Sequence, residues 1–482
     1  MRDYVLLYIN GKRHQISGER VFQPLSDFLR YDQEMVGTKV VCAEGDCGAC
    51  SALLGRAGDG TLNYQVFNTC IAYVFQLDCR HVVTVEGLKG HNGLHPVQQA
   101  MIEHFGSQCG YCTPGFVVAM AALFEKRHDL TEQAVRDGLT GNLCRCTGYQ
   151  AIINATLSIK PDTVETMAER FPALPMLDAF DQHSQSSVLI EYPESIQGKT
   201  IMKRSFIPSS VQEAVLLKKQ HPDAVLIAGG TDISVQMNKE KIDPQTVIIL
   251  PDTPELRVLE LDQENLKIGA KVRWSELEIF CKDKLPELHK ILKVFASDQI
   301  KNCATMAGNI ANASPIADSL PFLFVVNAEI ELTGIQNKRW VEINRFFHGY
   351  KNTDIQAEEV ITQIRIPLPK PEQFLKLYKV SKRRDLDIST FTAAILVEMV
   401  DDQMIKDIRI AYGGVAPVVL RLAKTEAFLK NKTFDLENMR TAGKLAREEI
   451  APISDVRASR DYRLRLSETT LEKFFHEVSQ TE

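Results

Sequence analysis

Eleven cysteines occur in this 482-residue chain, and eight of them are spaced as metal ligands are. Cys42, Cys47 and Cys50, in "CAEGDCGACS", form C-x4-C-x2-C, with Cys70 as a more distant fourth. That spacing is the one plant-type [2Fe–2S] centres use, whereas zinc ribbons pair two C-x2-C knuckles. Gly45 and Gly48 suit the same purpose, because a loop wrapped round a cluster needs positive φ and N–H groups aimed at sulfur. A second set comprises Cys109 and Cys112 in "SQCGYCTPG" and Cys144 and Cys146 in "GNLCRCTGYQ". It admits zinc, a thiol redox pair or another iron–sulfur cluster. No βαβ pattern precedes the first pair, which weighs against a thioredoxin-like role, and Thr113 stands where haem attachment needs histidine. A C-x-C pair is tight for two ligands on one tetrahedral metal, but each iron of a [2Fe–2S] rhomb takes two thiolates. Two short pairs on separate helix-end loops could meet around one. Gly110, Gly141 and Gly148 again place flexible backbone beside the sulfurs. Cys79, Cys281 and Cys303 stand alone and read as packing residues.

Two kinds of scaffold must position these sets. The first ~82 residues read as short strands and turns, opening with an Asn10-Gly11 hairpin signal. From about Leu94 the pattern turns helical, through "HPVQQAMIEHF", "PGFVVAMAALFEKRH", where Pro114 suits a first helical turn, "TEQAVRDGL" and 150–159. The stretch around "DAFDQHSQSS" has little periodicity and reads as a linker. Beyond it, "SSVQEAVLLKKQHPDAVLIAGGTDI" is helix, turn, strand and Gly-Gly turn, opening an α+β domain that ends near "EEVITQIRIPLP". The remaining segment, with "FTAAILVEMV", "MIKDIRIAYGG" and "ENMRTAGKLAREEI", suggests a sheet backed by helices.

Composition sets limits. At about 150 residues per domain the length implies roughly three domains, and 44% hydrophobic with 24% charged residues fits ordinary packed modules. A net charge of −6 argues against nucleic acid, which needs a basic face. The basic run Lys382-Arg383-Arg384 is followed by Asp385 and Asp387 and reads as a solvated loop. The longest apolar stretch, 116–124, falls short of the ~20 residues of a membrane span. With no secretory signal ahead of the clustered cysteines, the expected compartment is the reducing cytoplasm.

The three cysteine motifs resemble the iron–sulfur half of the molybdenum hydroxylases, the xanthine oxidase family, and the later glycine-rich loops resemble its FAD domain. The resemblance covers nearly the whole chain. It implies a multidomain α+β fold: a β-grasp ferredoxin-like [2Fe–2S] domain (1–82), a four-helix [2Fe–2S] domain (83–165), a linker (166–196), a two-lobed α+β FAD-binding domain (197–372) and a C-terminal α+β sheet-and-helix domain (376–482). Two [2Fe–2S] clusters would sit on Cys42, Cys47, Cys50 and Cys70, nearer the flavin, and on Cys109, Cys112, Cys144 and Cys146, nearer a molybdenum–pterin cofactor. Gln108 would hydrogen-bond that pterin. "LIAGGTDISVQM" resembles the first flavin loop, implying FAD contacts from Leu226, Ile227, Ala228, Gly229, Gly230, Thr231, Asp232 and Ile233. A turn after a short apolar strand exposes N–H groups able to bind pyrophosphate. "TMAGNIANASPIAD" resembles the second loop, with Thr305, Asn309, Ser314 and Asp318 for phosphate, ribose and adenine. By the same resemblance Phe295 lies against the isoalloxazine, Ile361 is its apolar neighbour, Lys379 contacts the flavin, and 383–388 borders the edge where nicotinamide docks.

The implied role is electron transfer from a partner's molybdenum site through two clusters to FAD and then NAD+, as hypoxanthine and xanthine are oxidised to urate. No hydroxylation catalyst is expected among these residues. No molybdopterin domain follows Glu482, so a separate large subunit is expected, in a heterotetramer with two copies of each chain. The alternatives are an aldehyde, nicotinate or aromatic acyl-thioester substrate within the same family, and a zinc-binding scaffold.

Overall fold

Turn chemistry starts the first sheet. Strands β1 (Val5–Ile9) and β2 (Lys12–Ile16) are joined by Asn10 and Gly11, at φ 49° and 81°, the left-handed pair that a two-residue hairpin turn requires. With β3 (Ser51–Gly58), β4 (Thr61–Asn68) and β5 (Arg80–Val83), they form a five-stranded sheet of order β2-β1-β5-β3-β4, in which β1 runs parallel to β5. This is a computed structural model describing residues 1–90, 93–125, 129–196, 198–400 and 403–480. The chain divides into two units, Met1–Thr253 with Ser297–Ala304, and Pro254–Ala296 with Thr305–Glu482.

In the first unit, the sheet is followed by helices α1 (Pro96–Glu103), α2 (Thr113–Leu123), α3 (Glu132–Gly138) and α4 (Gln150–Leu157). Every residue of α2 from Gly115 to Ala121 is buried, so this is the central helix of its cluster and its apolar run has no polar face. The residues 126–128 that the sequence reading added to this helix lie outside the described residues. The stretch 166–196, expected as a linker, is instead structured: Met167–Arg170 is a helical turn, α5 spans Leu174–Ser184, and β6 spans Val188–Ile196. Met176 and Phe180, four apart on α5, are buried in the core shared by the first sheet and the helices, with Phe180 edge-on to Tyr8 at 5.6 Å. Leu177 and Ala179 pack partly buried against the same core, so a few apolar side chains in a polar stretch anchor the helix once a neighbour supplies the rest.

β6 then pairs with β7 (Lys199–Ile207) in a sheet completed by β8 (Val225–Ile227) and β9 (Thr246–Ile249), of order β6-β7-β9-β8. Its apolar side chains Val188, Ile190, Ile227 and Val247 share one core cluster with Val5, Leu7 and Phe75 of the N-terminal module. The expected FAD-binding stretch, 197–372, is therefore divided between the two units.

The second unit holds a five-stranded sheet of Leu259–Leu261, Asn265–Gly269, Val360–Pro367, Glu329–Thr333 and Lys338–Glu342 in that spatial order. A four-stranded antiparallel sheet of Gln373–Val380, Phe391–Val400, Met404–Gly413 and Leu420–Arg421 follows, and helices Leu436–Glu449 and Arg460–Ser479 contribute Met439, Ala442, Leu471 and Phe474 to its core. The fold is thus multidomain α+β, as the sequence suggests. No helix among the described residues is long and apolar enough to cross a membrane.

Candidate functional site

The first cysteine set converges. The Cys42 thiol neighbours those of Cys47 and Cys70, and the Cys50 thiol neighbours that of Cys70. Cys50 and Cys70 are buried while Cys42 and Cys47 are half-buried. The four thiols are shifted in opposite directions, so that full ionisation of the set is resisted: hydrogen bonding to neighbouring cysteines holds Cys42 and Cys50 below the ordinary thiol range, while the hydrogen bonds to Cys42 and Cys50, then burial, push the Cys70 thiol far above it. A bound cation reverses this balance, since a coordinating thiol gives up its proton to the metal. The loop carries Ala43, Gly45 and Gly48 at φ 52°, 77° and 68°. Its carbonyls are held from outside: Asn68 Nδ2 donates to Gly45 O at 2.7 Å, and Asn238 Nδ2 donates to Ala43 O at 2.8 Å and Cys70 O at 2.7 Å. Val40, Ile71, Val235 and Ile300 collar Cys50 and Cys70 with apolar surface.

The second set meets differently from its sequence pairs. Cys112 contacts Cys144, and Cys109 contacts Cys146, so each spatial pair takes one cysteine from each motif. Burial, then Cys144, pushes the Cys112 thiol up to about 12. Burial also acts to raise Cys144, but Thr147 Oγ1 at 3.2 Å and the N–H groups of Cys146 and Thr147 at 3.4 Å donate to its Sγ and bring it down to about 7. These donors are the kind a cluster thiolate takes. Among the described residues, no group of three or more His, Cys, Asp or Glu side chains is arranged to hold one metal ion. Paired thiols match the two ligands each iron of a rhomb takes. Gln108 and Cys109 are exposed on the loop that enters α2, and Gly110 there has φ 82°.

The expected flavin residues fall into two groups, one in each unit. In the first unit, Leu226 and Ile227 end strand β8, and Ile227 is 1% exposed within the core, which leaves only its backbone for a ligand. Ala228, Gly229, Gly230 and Thr231 turn into the helix Ile233–Asn238, with Asp232 at its N-cap. Neither glycine has room for a side chain: a Cβ on Gly229 would stand 2.2 Å from Cys303 O, and one on Gly230, at φ 78°, 2.1 Å from Gln76 Nε2. Asn238, which holds the first cysteine loop, is the last residue of that same helix.

In the second unit, Thr305 caps the helix Met306–Asn312 by accepting from Gly308 N at 3.0 Å, and Asn309 Oδ1 accepts from Ser319 Oγ at 2.7 Å. Ser314 is half-buried in the loop that follows. Asp318 is paired with Lys379 at 2.6 Å and accepts from Ser389 Oγ at 2.5 Å. Burial pushes the Asp318 carboxyl up, and Lys379 and Ser389 act against it. Phe295 closes the helix Pro286–Phe295 with its ring 4.9 Å from that of Trp274, and Ile361 is buried opposite Leu332 in the sheet.

The sequence reading missed the amides that hold the loops: Asn68, Gln76, Asn142, Asn238 and Gln299. Asn142 lies inside "GNLCRC" and Gln299 four residues after Phe295 in "KVFASDQIKN", but no local spacing marks their partners, which are distant in sequence.

Comparison with known proteins adds three family matches: residues 84–157 to a "[2Fe-2S] binding domain", 200–369 to an "FAD binding domain in molybdopterin dehydrogenase", and 376–478 to a "CO dehydrogenase flavoprotein C-terminal domain". Xanthine dehydrogenase 1 of Arabidopsis thaliana is 31% identical over 98% of this chain and 40% of its own length; xanthine dehydrogenase/oxidase of Rattus norvegicus is 29% identical over 93% and 37%. The chain thus spans about two-fifths of the curated relatives it matches. Among solved structures, carbon monoxide dehydrogenase from Hydrogenophaga pseudoflava is 29% identical with TM-score 0.53, covering 56% of this chain and 94% of that one. Quinoline 2-oxidoreductase from Pseudomonas putida 86 is 26% identical with TM-score 0.53, covering 57% and 96%.

Proposed function

The chain belongs to the molybdenum hydroxylase family, as an electron-transferring iron–sulfur and FAD part, and on that premise we propose that it is the small subunit of a xanthine dehydrogenase. Two [2Fe–2S] clusters and FAD, when bound, supply one-electron and two-electron redox chemistry between a molybdenum–pterin site on a partner subunit and NAD+. The residues of this chain hold and insulate those groups. Cys42, Cys47, Cys50 and Cys70 hold one cluster, and Cys109, Cys112, Cys144 and Cys146 the other. The Gly229-Gly230 turn of the first unit would admit FAD phosphates, and Thr305, Asn309, Ser314, Asp318 and Lys379 of the second unit would supply further flavin contacts. Gln108, exposed beside Cys109, would meet the pterin of the partner, in a cytoplasmic assembly with two copies of each subunit.

One observation carries this reading. Within the first unit the two cysteine loops touch, Leu143 N donating to Cys47 O at 3.0 Å, and the first loop is in turn held by Asn238 of the helix that follows the flavin turn. Second cysteine set, first cysteine set and flavin turn thus follow one another in space, as a relay requires. The experiment is Cys109→Ser in the assembled enzyme. One of two iron–sulfur signals should vanish and flavin reduction by xanthine should stop, while flavin reduction by NADH persists. Zinc in place of iron, with no flavin absorbance, would sink the reading.

A second reading keeps the relay and changes the substrate to an aldehyde, a nicotinate or an aromatic acyl thioester. What favours it is the likeness to a quinoline 2-oxidoreductase and a carbon monoxide dehydrogenase. Turnover of such a substrate with hypoxanthine and xanthine left untouched would decide for it.

A further inference from the structure

Three glycines and two amides make the join between the cysteine loops unusually close. A Cβ on Gly48 would lie 2.2 Å from Gly141 O, and one on Gly115 would lie 2.2 Å from Gly48 O. A Cβ on Gly141 would lie 1.9 Å from Gln299 Oε1. Backbone therefore meets backbone between Cys47 and Cys50 on one side and ahead of Cys144 on the other. Asn142, 2% exposed, donates through Nδ2 to Gly48 O at 3.0 Å. Gln299, 1% exposed, donates through Nε2 to Asn142 Oδ1 at 2.8 Å and to Ser51 Oγ at 3.3 Å, and Ser51 Oγ donates to Gly48 O at 2.8 Å. The four groups close a ring of hydrogen bonds around Gly48 O, sealed from solvent.

Gln299 belongs to a short intrusion. The segment Ser297–Ala304 packs with the first unit although the residues on both sides of it belong to the second. Arg56 donates to Asn302 O at 2.9 Å and Asn302 Nδ2 donates to Val66 O at 2.9 Å, so this segment is strapped to the strands that follow the first cysteine loop. A buried amide is costly to satisfy, and a core could fill the same volume with Leu or Met. Two of them in one closed ring define a single relative position of the loops where apolar packing would tolerate several.

We propose that Gln299 and Asn142 are positioning residues that clasp the two cluster-binding loops, setting the electronic coupling between the clusters without ligating either. The inference rests on the reading of both cysteine sets as [2Fe–2S] ligands. The Leu143 N to Cys47 O hydrogen bond provides a path of covalent bonds with one hydrogen-bonded step from the first set to Cys144. Coupling through such a path drops when the step opens into a through-space gap. The clasp holds that step shut.

The test uses the full chain with its clusters, reduced with dithionite and observed by low-temperature electron paramagnetic resonance. Two reduced centres this close should split one another's signals in the wild type. Gln299→Met keeps length and volume but removes the donors; Asn142→Asp keeps shape but replaces the donor to Gly48 O with an acceptor. Both variants should retain both cluster signals, with the splitting reduced or lost. Two intact signals with wild-type splitting in both variants would overturn the clasp while leaving the relay in place. Loss of a whole cluster signal in the volume-preserving Gln299→Met would also overturn it, since the residue would then hold a cluster rather than the coupling. A wild type with fewer than two iron–sulfur signals would instead overturn the relay itself, and the clasp with it.

Discussion

Asp318 and Lys379 show how much one buried pair can carry. Their side chains are 7% and 4% exposed, and each is the other's counter-charge. In Asp318→Asn the ammonium stays buried with no counter-charge, its hydrogen bonds going only to neutral oxygens such as Ser389 Oγ and Asp387 O. Breaking such a pair from one side costs about 3 kcal/mol, so the variant should unfold at lower urea concentration and lose flavin on gel filtration. Gly48→Ala meets a different barrier, because at φ 68° with Gly141 O in its path neither conformation nor space is available. A loss of roughly 2 kcal/mol is expected, read as a lower melting temperature and a lower iron content. At this scale the eight cysteines proposed as ligands could be picked out, because spacing is a local property of the chain. Which cysteine faces which could not: Cys112 with Cys144 and Cys109 with Cys146 depend on how two helix-end loops pack.

At the scale of elements, the helix Leu174–Ser184 is where the sequence reading failed. Its apolar anchors number too few to stand out among "DAFDQHSQSS", and their value comes from Tyr8 and the helices they meet. Phe180→Ala should therefore cost ~3–4 kcal/mol in chemical denaturation, as for a core aromatic, where a linker residue would cost almost nothing. The N-terminal hairpin has its own pH signature. His81, fully buried, accepts from Gly11 N through Nε2 at 3.0 Å, and its Nδ1 lies 2.6 Å from Tyr64 Oη. Burial pushes its pKa down from 6.5 to about 4. Between those values the unfolded chain binds the proton that the folded one refuses, so stability is full above about pH 6.5 and falls on acidification toward pH 4. The expected loss is about 3 kcal/mol. His81→Gln should flatten that slope in urea melts run at several pH values.

At the scale of the molecule, the proposed relay predicts a division of labour. The purified chain should bleach its flavin with NADH but stay unchanged with xanthine. Adding a molybdopterin-bearing large subunit should restore bleaching by xanthine, and spectra with and without it would check this. By itself the sequence determined the kind of chemistry: cysteine spacing pointed to iron–sulfur binding, the Gly-Gly and Thr-to-Asp loops pointed to a flavin, and the apolar periodicity of the long elements set the α+β class. These signals are legible because each is written within a few turns or strands of continuous chain. Only the tertiary structure decided how the modules are joined. It placed 297–304 against the first unit, put Asn238 and Gln299 at the cysteine loops, and crossed the second set of thiols. A buried amide has no periodicity or spacing to announce it; its partner is set by burial and hydrogen-bond geometry, which exist only once the chain has folded.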